Sequence, residues 1–259
     1  MPEINFCVII PTYNNEMTIE KVIKDVLKFT PNIIVINDGS TDSTPQILKK
    51  FEGKIYIISN IKNMGKGASL KKGFRKAKEL GYQYAITIDS DGQHFADDIP
   101  NFLEKLTPDS PVLIIGNRDM SGENTPQRSI FGRKFSNFWV KLETNVDVED
   151  SQCGYRLYTL SEINKFHFFT NRYDFEIESL VRWLWKGLPV VSVPIKVNYP
   201  PPEERVSHFR GFLDNFRISI LNTFLMTATI FYFMPLRLLK YLFKILKRLF
   251  SKVKAKRAF

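Results

Sequence analysis

Residues Tyr84–His94 read YAITIDSDGQH. The first five, Tyr84 to Ile88, are a strand-length apolar run, and Asp89-Ser90-Asp91-Gly92-Gln93-His94 is polar throughout. A short apolar run closed by a turn signal is the pattern of a strand buried on both faces. The flanking sequence repeats it. Phe6–Pro11 (FCVIIP), Asn32–Ile36 (NIIVI) and Ile55–Ser59 read as strands, each followed by apolar residues at helical spacing over Glu16–Leu27, Asp42–Phe51 and Ala68–Leu80. Downstream come a helix over Asp97–Leu106 and a strand over Val112–Ile115. Strand and helix alternate with short connections, which predicts an α/β fold with a mostly parallel sheet flanked by helices on both faces.

Between Gly116 and Asp150 the periodicity weakens, and this stretch reads as an insertion at the site carrying one helix near Arg128–Leu142. Regularity returns with a strand over Gly154–Leu160, a helix over Asp174–Lys186 and a strand over Leu188–Val197. Tyr199-Pro200-Pro201-Pro202 then closes the domain, because consecutive prolines enter neither a central strand nor a helix interior. With 44 % hydrophobic and 25 % charged residues, the 259-residue chain has the composition of a protein with a real core. The two cysteines, Cys7 and Cys153, set no disulfide framework and fit a reducing compartment. Met1–Asn5 is too short and proline-bearing to read as a leader.

The net charge of +10 is unevenly placed. Arg237–Phe259 carries nine Lys and Arg and no acid, while the preceding residues hold 28 basic and 27 acidic side chains. A nearly neutral body with a basic tail is not the composition of a nucleic-acid-binding domain; it suits a tether to an anionic membrane surface. Just before the tail, Ile218–Leu236 runs 19 residues without a charge. As a helix it would be about 28 Å long, close to the ~30 Å hydrocarbon core. From Leu236 onward, Leu and Phe alternate with Lys and Arg at helical spacing, the pattern of a basic helix lying in a bilayer interface. Spanning and interfacial placement of Ile218–Leu236 both fit, as does a core helix followed by a solvated tail. The expected organisation is a catalytic domain over 1–199, a linker and donor-site loop over 200–217, and membrane-associated helices over 218–259.

Three polar clusters fall at predicted strand ends, where open α/β sheets bind ligands. They are Pro11-Thr12-Tyr13-Asn14-Asn15, Asn37-Asp38-Gly39-Ser40 and Asp89-Ser90-Asp91-Gly92-Gln93-His94. Asp89 and Asp91, two positions apart, are suited to one hard cation such as Mg²⁺ or Mn²⁺, which takes carboxylate, phosphate and water oxygens. Gln93 could add a carbonyl oxygen and His94 an imidazole; a turn with two capping aspartates is the bland alternative. Lys66, in Asn63-Met64-Gly65-Lys66-Gly67, stands at a predicted helix start, where anions are favoured, or is an exposed lysine at a turn. Asp38 could accept hydrogen bonds from a base, and Tyr13 could offer it a stacking face.

Taken together, PTYNN, NDGSTDST, NMGKGAS, DSDGQH, QCGYRLY and the Phe175–Lys196 segment occur in the order seen in family 2 glycosyltransferases of the GT-A fold. The resemblance spans roughly Val8–Arg217 and is strongest to the dolichyl- and polyprenyl-phosphate sugar synthases and related bacterial lipid-acceptor enzymes. It implies inverting transfer of a sugar from a UDP- or GDP-linked donor to a membrane lipid acceptor, with Mg²⁺ or Mn²⁺, by a membrane-associated enzyme on the cytoplasmic face. By the same resemblance Pro11, Tyr13 and Asp38 line the nucleotide site with Asn15, Lys66, Asp89 and Ser90. Asp89 and Asp91 match the metal motif and Gln93 a third ligand. Arg118 and Arg133 match arginines that face the acceptor phosphate, a role suited to the planar, two-pronged guanidinium. Arg205 and Ser207, grouped with them, resemble with His208 a loop that closes over the donor. Asn15 stands where the family has Glu, Asn37 replaces the first Asp of DDGS, and Arg205–Phe209 replaces a Ser-Lys pair.

With a phosphate acceptor the nucleophile is already anionic; with a hydroxyl acceptor a carboxylate must take the proton. The catalytic residues expected are Asp91 and, as that base, Asp150, with Asp147 and Glu149 as runners-up. Two rival readings are a scaffold that has kept the fold without chemistry and a nucleotidyltransferase. The intact aspartate pair argues against the first. The lack of a glycine- and basic-rich signature near the first strand argues against the second.

Overall fold

The computed structural model describes residues 4–107, 110–122, 125–199, 211–236, 238, 239, 242 and 243. Strands β1 (Phe6–Thr12), β2 (Ile33–Asn37) and β3 (Tyr56–Ser59) alternate with helices α1 (Ile19–Leu27), α2 (Thr44–Lys49) and α3 (Lys66–Glu79). Then follow β4 (Tyr84–Thr87), α4 (Ile99–Glu104), β5 (Leu113–Arg118), α5 (Gln127–Thr144) and β6 (Arg156–Thr159). The last elements are α6 (Leu160–Ile163), α7 (Asp174–Trp185), β7 (Val190–Ile195) and α8 (Gly211–Ala228), which runs on through a π-helical turn at Thr229–Phe233.

The apolar runs decide the sheet. Cys7–Ile10 of β1 and Ile33–Ile36 of β2 have no exposed surface, and each fully buried aliphatic side chain contributes about 1.5–3 kcal/mol. Helix α1 buries Ile19, Val22, Ile23 and Val26, the i, i+3, i+4, i+7 stripe read from the sequence. The sheet has seven strands in the order β3-β2-β1-β4-β6-β5-β7. β1 is parallel to both β2 and β4, β2 to β3, and β5 to β7.

β6 is the exception. It lies antiparallel between β4 and β5, so the strand expected over Gly154–Leu160 is shorter and runs against its neighbours. The long α5 insertion permits this, because a chain returning from α5 is free to enter the sheet from the opposite end. Its first residue, Arg156, is fully buried; the guanidinium donates to the carbonyls of Cys153 (2.7 Å), Ser151 (2.7 Å) and Glu176 (2.8 Å).

β1 is the strand from which the order departs in both directions, to β2 on one side and β4 on the other. The pairings Thr12 with Asn37 and Ile9 with Thr87 bring the carboxyl ends of these strands to one edge. Ligands of open α/β sheets bind in the crevice at such a switch point.

α8 is helical from Gly211, seven residues ahead of the uncharged run, and packs against α7 and α5. Leu221 and Leu225 are buried, while Phe212 and Phe231 are exposed. The helix continues over Gly211–Leu236 with mean hydropathy 1.4, long and apolar enough to cross a membrane. At the π-helical turn Thr229 Oγ1 and Trp185 Nε1 both donate to the Glu143 carbonyl at 3.0 Å, and Trp185 stacks on Phe233. The basic amphipathic helix expected beyond Leu236 lies almost entirely outside the described residues.

Candidate active site

The three polar clusters do converge. At the end of β1, the Asn15 amide donates to Ser90 Oγ (2.7 Å), which in turn donates to the Pro11 carbonyl (2.9 Å). Both side chains are buried, and they knit the end of β1 to the end of β4. At the end of β2, Asp38 is 3 % exposed, and its carboxylate accepts from Asn60 Nδ2 (2.7 Å), Met64 N (2.9 Å) and Gly65 N (2.7 Å). Asp38 therefore folds the Asn60–Gly65 loop onto the site and sets where α3, and with it Lys66, begins.

At the end of β4, Asp89 and Asp91 lie side by side. Lys66 Nζ is 2.6 Å from Asp89 Oδ1 and 2.8 Å from Glu176 Oε1 on α7. Burial works against both partners of that pair, and their mutual attraction outweighs it: Asp89 is held below the usual carboxylate range and Lys66 above the usual ammonium range. Asp91 has no such partner among the described residues; Gln93 N donates to its Oδ1 at 3.0 Å. Burial first, and then the neighbouring Asp89 charge, push its carboxyl up to about 6. Burial also lowers His94 to about 4, so its imidazole is neutral near pH 7. His94 and Val197 form an antiparallel bridge, and Asn198 N donates to the Gln93 carbonyl (2.8 Å), tying this loop to the residues that follow β7.

The third group lies at the end of β5. Arg118 Nε and Nη2 donate to Asp150 Oδ2 (2.7 Å) and Oδ1 (2.9 Å), and Asp150 is 1 % exposed. Arg133 Nη1 donates to the Arg118 carbonyl (3.0 Å) and lies 4.0 Å from Asp150 Oδ2.

A cavity of about 1250 Å³ opens over these strand ends. One wall is the nucleotide and metal set expected from the sequence: Pro11, Tyr13, Asn15, Asp38, Lys66, Asp89, Ser90, Asp91 and Gln93. Arg118 forms part of the floor, while Arg133 and Asp150 sit behind it. The cavity is lined as well by Phe131 and Phe135 of α5 with Ile218, Ser219 and Asn222 of α8. Arg205, Ser207 and His208 lie outside the described residues.

Several lining residues escaped the sequence reading. Glu176 sits in DFEIESLVRWLW between Phe175 and Ile177, and an acid flanked by core residues in a largely buried helix is a signal of an ion-paired interior carboxylate. Arg128 and Arg172 also face the cavity and carry no motif. Asn222 is 5 % exposed, and its side-chain oxygen has no hydrogen-bond partner among the described residues.

Residues 7–165 match the sequence profile of the family described as Glycosyl transferase family 2. The chain belongs to that family. This glycosyltransferase is 31 % identical over 212 residues to a UDP-N-acetylglucosamine–dolichyl-phosphate N-acetylglucosaminyltransferase of Methanococcus voltae, covering 74 % of this chain and 84 % of the relative. It is 28 % identical to a polyprenol monophosphomannose synthase of Mycolicibacterium smegmatis, over 73 % of this chain and 75 % of that one. The family 2 enzyme thus resembles the polyprenyl-phosphate sugar synthases. Its fold is that of glucosyl-3-phosphoglycerate synthase from Mycobacterium tuberculosis, solved with Mn²⁺, UDP and glucosyl-3-phosphoglycerate. That likeness has a TM-score of 0.61 at 19 % identity and covers 88 % of this chain and 79 % of the other.

Proposed function

We propose that this glycosyltransferase moves a sugar from a nucleoside-diphosphate sugar, UDP- or GDP-linked, to a membrane lipid phosphate on the cytoplasmic face, with inversion at the sugar. The observation that carries this reading is the cavity itself. It joins the strand-end carboxylates, the Arg118 guanidinium and the wall of an apolar helix long enough to enter a bilayer. A phosphorylated lipid whose head meets Arg118 and whose tail leaves between α5 and α8 suits all three.

A divalent cation fits the donor set. Asp91 is a part-buried carboxylate pushed up by burial and then by the Asp89 charge, and a positive ion relieves both. Two carboxylates and the Gln93 amide would hold Mg²⁺ or Mn²⁺, with diphosphate oxygens and waters completing the shell. When bound, such an ion neutralises the charge of the departing diphosphate. The chain's own residues do the rest: Lys66 and the turn at Asp38 shape the diphosphate and nucleoside end, and Arg118 holds the acceptor phosphate in line.

A hydroxyl acceptor is the less favoured alternative, because it needs a free base. Both oxygens of Asp150 are occupied by Arg118, and Glu176 is engaged by Lys66. A phosphate acceptor needs no base at all.

The test is thermal unfolding of the detergent-solubilised protein with UDP, GDP or CDP, with and without Mn²⁺, beside Asp91→Asn. A ligand at 100 times its dissociation constant adds about 2.7 kcal/mol to the folded state. One nucleotide should stabilise in the presence of Mn²⁺, and Asp91→Asn should abolish the effect. No shift with any nucleotide would count against transfer from an activated sugar.

A further inference from the structure

Lys66, Asp89 and Glu176 come from three elements, the start of α3, the end of β4 and the first turn of α7. Their approach is built in at two glycines. A Cβ at Gly67 would lie 2.4 Å from Phe175 Cβ, so only glycine lets α3 press against α7 next to Lys66. A Cβ at Gly154 would lie 2.6 Å from Glu176 Oε1, 2.6 Å from Lys66 Nζ and 2.9 Å from Asp89 Oδ2. The glycines flanking this cluster, in the GKG and QCG segments, make room for one ammonium between two carboxylates.

That ammonium occupies an oxygen of the same aspartate proposed to receive the metal. An ammonium and a divalent ion compete for Asp89, and a buried ammonium that gives up its partner is costly unless another takes over. Glu176 is that other partner. It lines the same cavity and already lies 2.8 Å from Lys66 Nζ. We propose that Glu176 is a positioning residue. It retains the Lys66 ammonium at the donor site when a divalent cation takes Asp89, leaving that ammonium turned to the donor diphosphate. This rests on the donor-site reading proposed above.

The two partners should then act oppositely on the metal. In Glu176→Gln the ammonium has Asp89 alone and holds it more tightly, so Mn²⁺ binding without nucleotide weakens by about tenfold, the size of coupling seen between contacting charged side chains. In Lys66→Met the competitor is gone, and Mn²⁺ binds as well as or better than in the wild type. UDP or GDP binding at saturating Mn²⁺ weakens in both. The double variant Lys66→Met/Glu176→Gln should match Lys66→Met in both affinities, since Glu176 acts only through Lys66. It also removes one of the two carboxylates that Lys66→Met leaves without a cation, and so keeps the comparison available if Glu176→Gln alone folds poorly.

Mn²⁺ affinity is read by electron paramagnetic resonance and nucleotide affinity by calorimetry, on the full chain in detergent. The proposal is overturned if Glu176→Gln leaves Mn²⁺ affinity unchanged, or if the double variant binds Mn²⁺ much more weakly than Lys66→Met, which marks a purely structural role. If the wild type binds Mn²⁺ and neither nucleotide, the donor-site reading fails and this role falls with it.

Discussion

Both carboxylate oxygens of Asp150 accept hydrogen bonds from the Arg118 guanidinium, at 2.7 and 2.9 Å. Asp150 is almost fully buried, and Arg118 is the member of the pair that reaches the cavity. The carboxylate therefore aims the arginine. Asp150 is the residue expected from the sequence as the base for a hydroxyl acceptor; on the phosphate-acceptor reading proposed above, its part is to hold Arg118 toward the acceptor.

Asp150→Asn should lower stability by about 3 kcal/mol, because removing one member of a buried ion pair leaves the other uncompensated. Denaturant unfolding measures this. Arg118→Met/Asp150→Asn should recover much of the loss, a coupling that a double-mutant cycle isolates. In kinetics, Asp150→Asn should raise the acceptor KM and leave the shape of the pH–rate profile unchanged. Collapse of kcat with a lost acidic limb in the profile would make Asp150 the base after all.

Glu143 offers a pH test away from the site. Its side chain has no exposed surface, and neither carboxylate oxygen is hydrogen-bonded among the described residues. Burial raises it from 4.5 to about 8. The folded state thus keeps a proton the unfolded chain gives up, and stability falls as pH rises from about 4.5 to about 8, by up to ~1.4 kcal/mol per unit. Below that window both states are protonated and nothing is lost. Glu143→Gln should flatten this slope, seen as a smaller drop in Tm between the two ends of the window; parallel pH curves for the two proteins would refute the assignment.

Gly154→Ala should leave the sheet intact and disable the donor site. Its new methyl would land on the Lys66, Glu176 and Asp89 side chains. The expected outcome is a folded protein by circular dichroism whose melting no longer responds to Mn²⁺ with UDP or GDP. An undiminished response would mean that the cluster opens without cost.

Membrane attachment should depend on salt. Nine Lys and Arg lie in Arg237–Phe259 with no acid, and each near an anionic surface contributes about 1 kcal/mol. A chain ending at Leu236, nearly neutral by charge, should float about equally with phosphatidylserine and neutral vesicles. Restoring the tail should create a preference for phosphatidylserine at low salt that is lost at high salt, as screening shortens to a few ångströms. If the truncated chain shows the same preference and salt response, the tail is not the tether.

Much of the fold was legible because its signals are local. Strands such as β2 are buried on both faces and so apolar over Ile33–Ile36, and α1 shows its core stripe directly. The antiparallel placement of β6 was not legible: Arg156–Thr159 has the same local pattern in either direction, and only the return path from α5 sets it. The site divides the same way. Asp38, Asp89 and Asp91 sit at strand ends that can be located by periodicity. Glu176 and Arg172 reach the cavity from α7 and the turn before it, more than 80 residues beyond Asp89, and no spacing rule links them. The placement of Lys66 at a helix start was legible, but its pairing with two carboxylates is a tertiary fact.

The most direct test of the account is product analysis. The full chain in detergent would be incubated with Mn²⁺, polyprenyl phosphate and, in turn, UDP-N-acetylglucosamine, UDP-glucose and GDP-mannose, with Asp91→Asn alongside, and the lipid fraction read by mass spectrometry. The account predicts a polyprenyl-phosphate sugar from one donor, absent in Asp91→Asn and strongly reduced in Arg118→Met. Transfer only to a hydroxyl acceptor, with polyprenyl phosphate left unmodified by every donor, would contradict it.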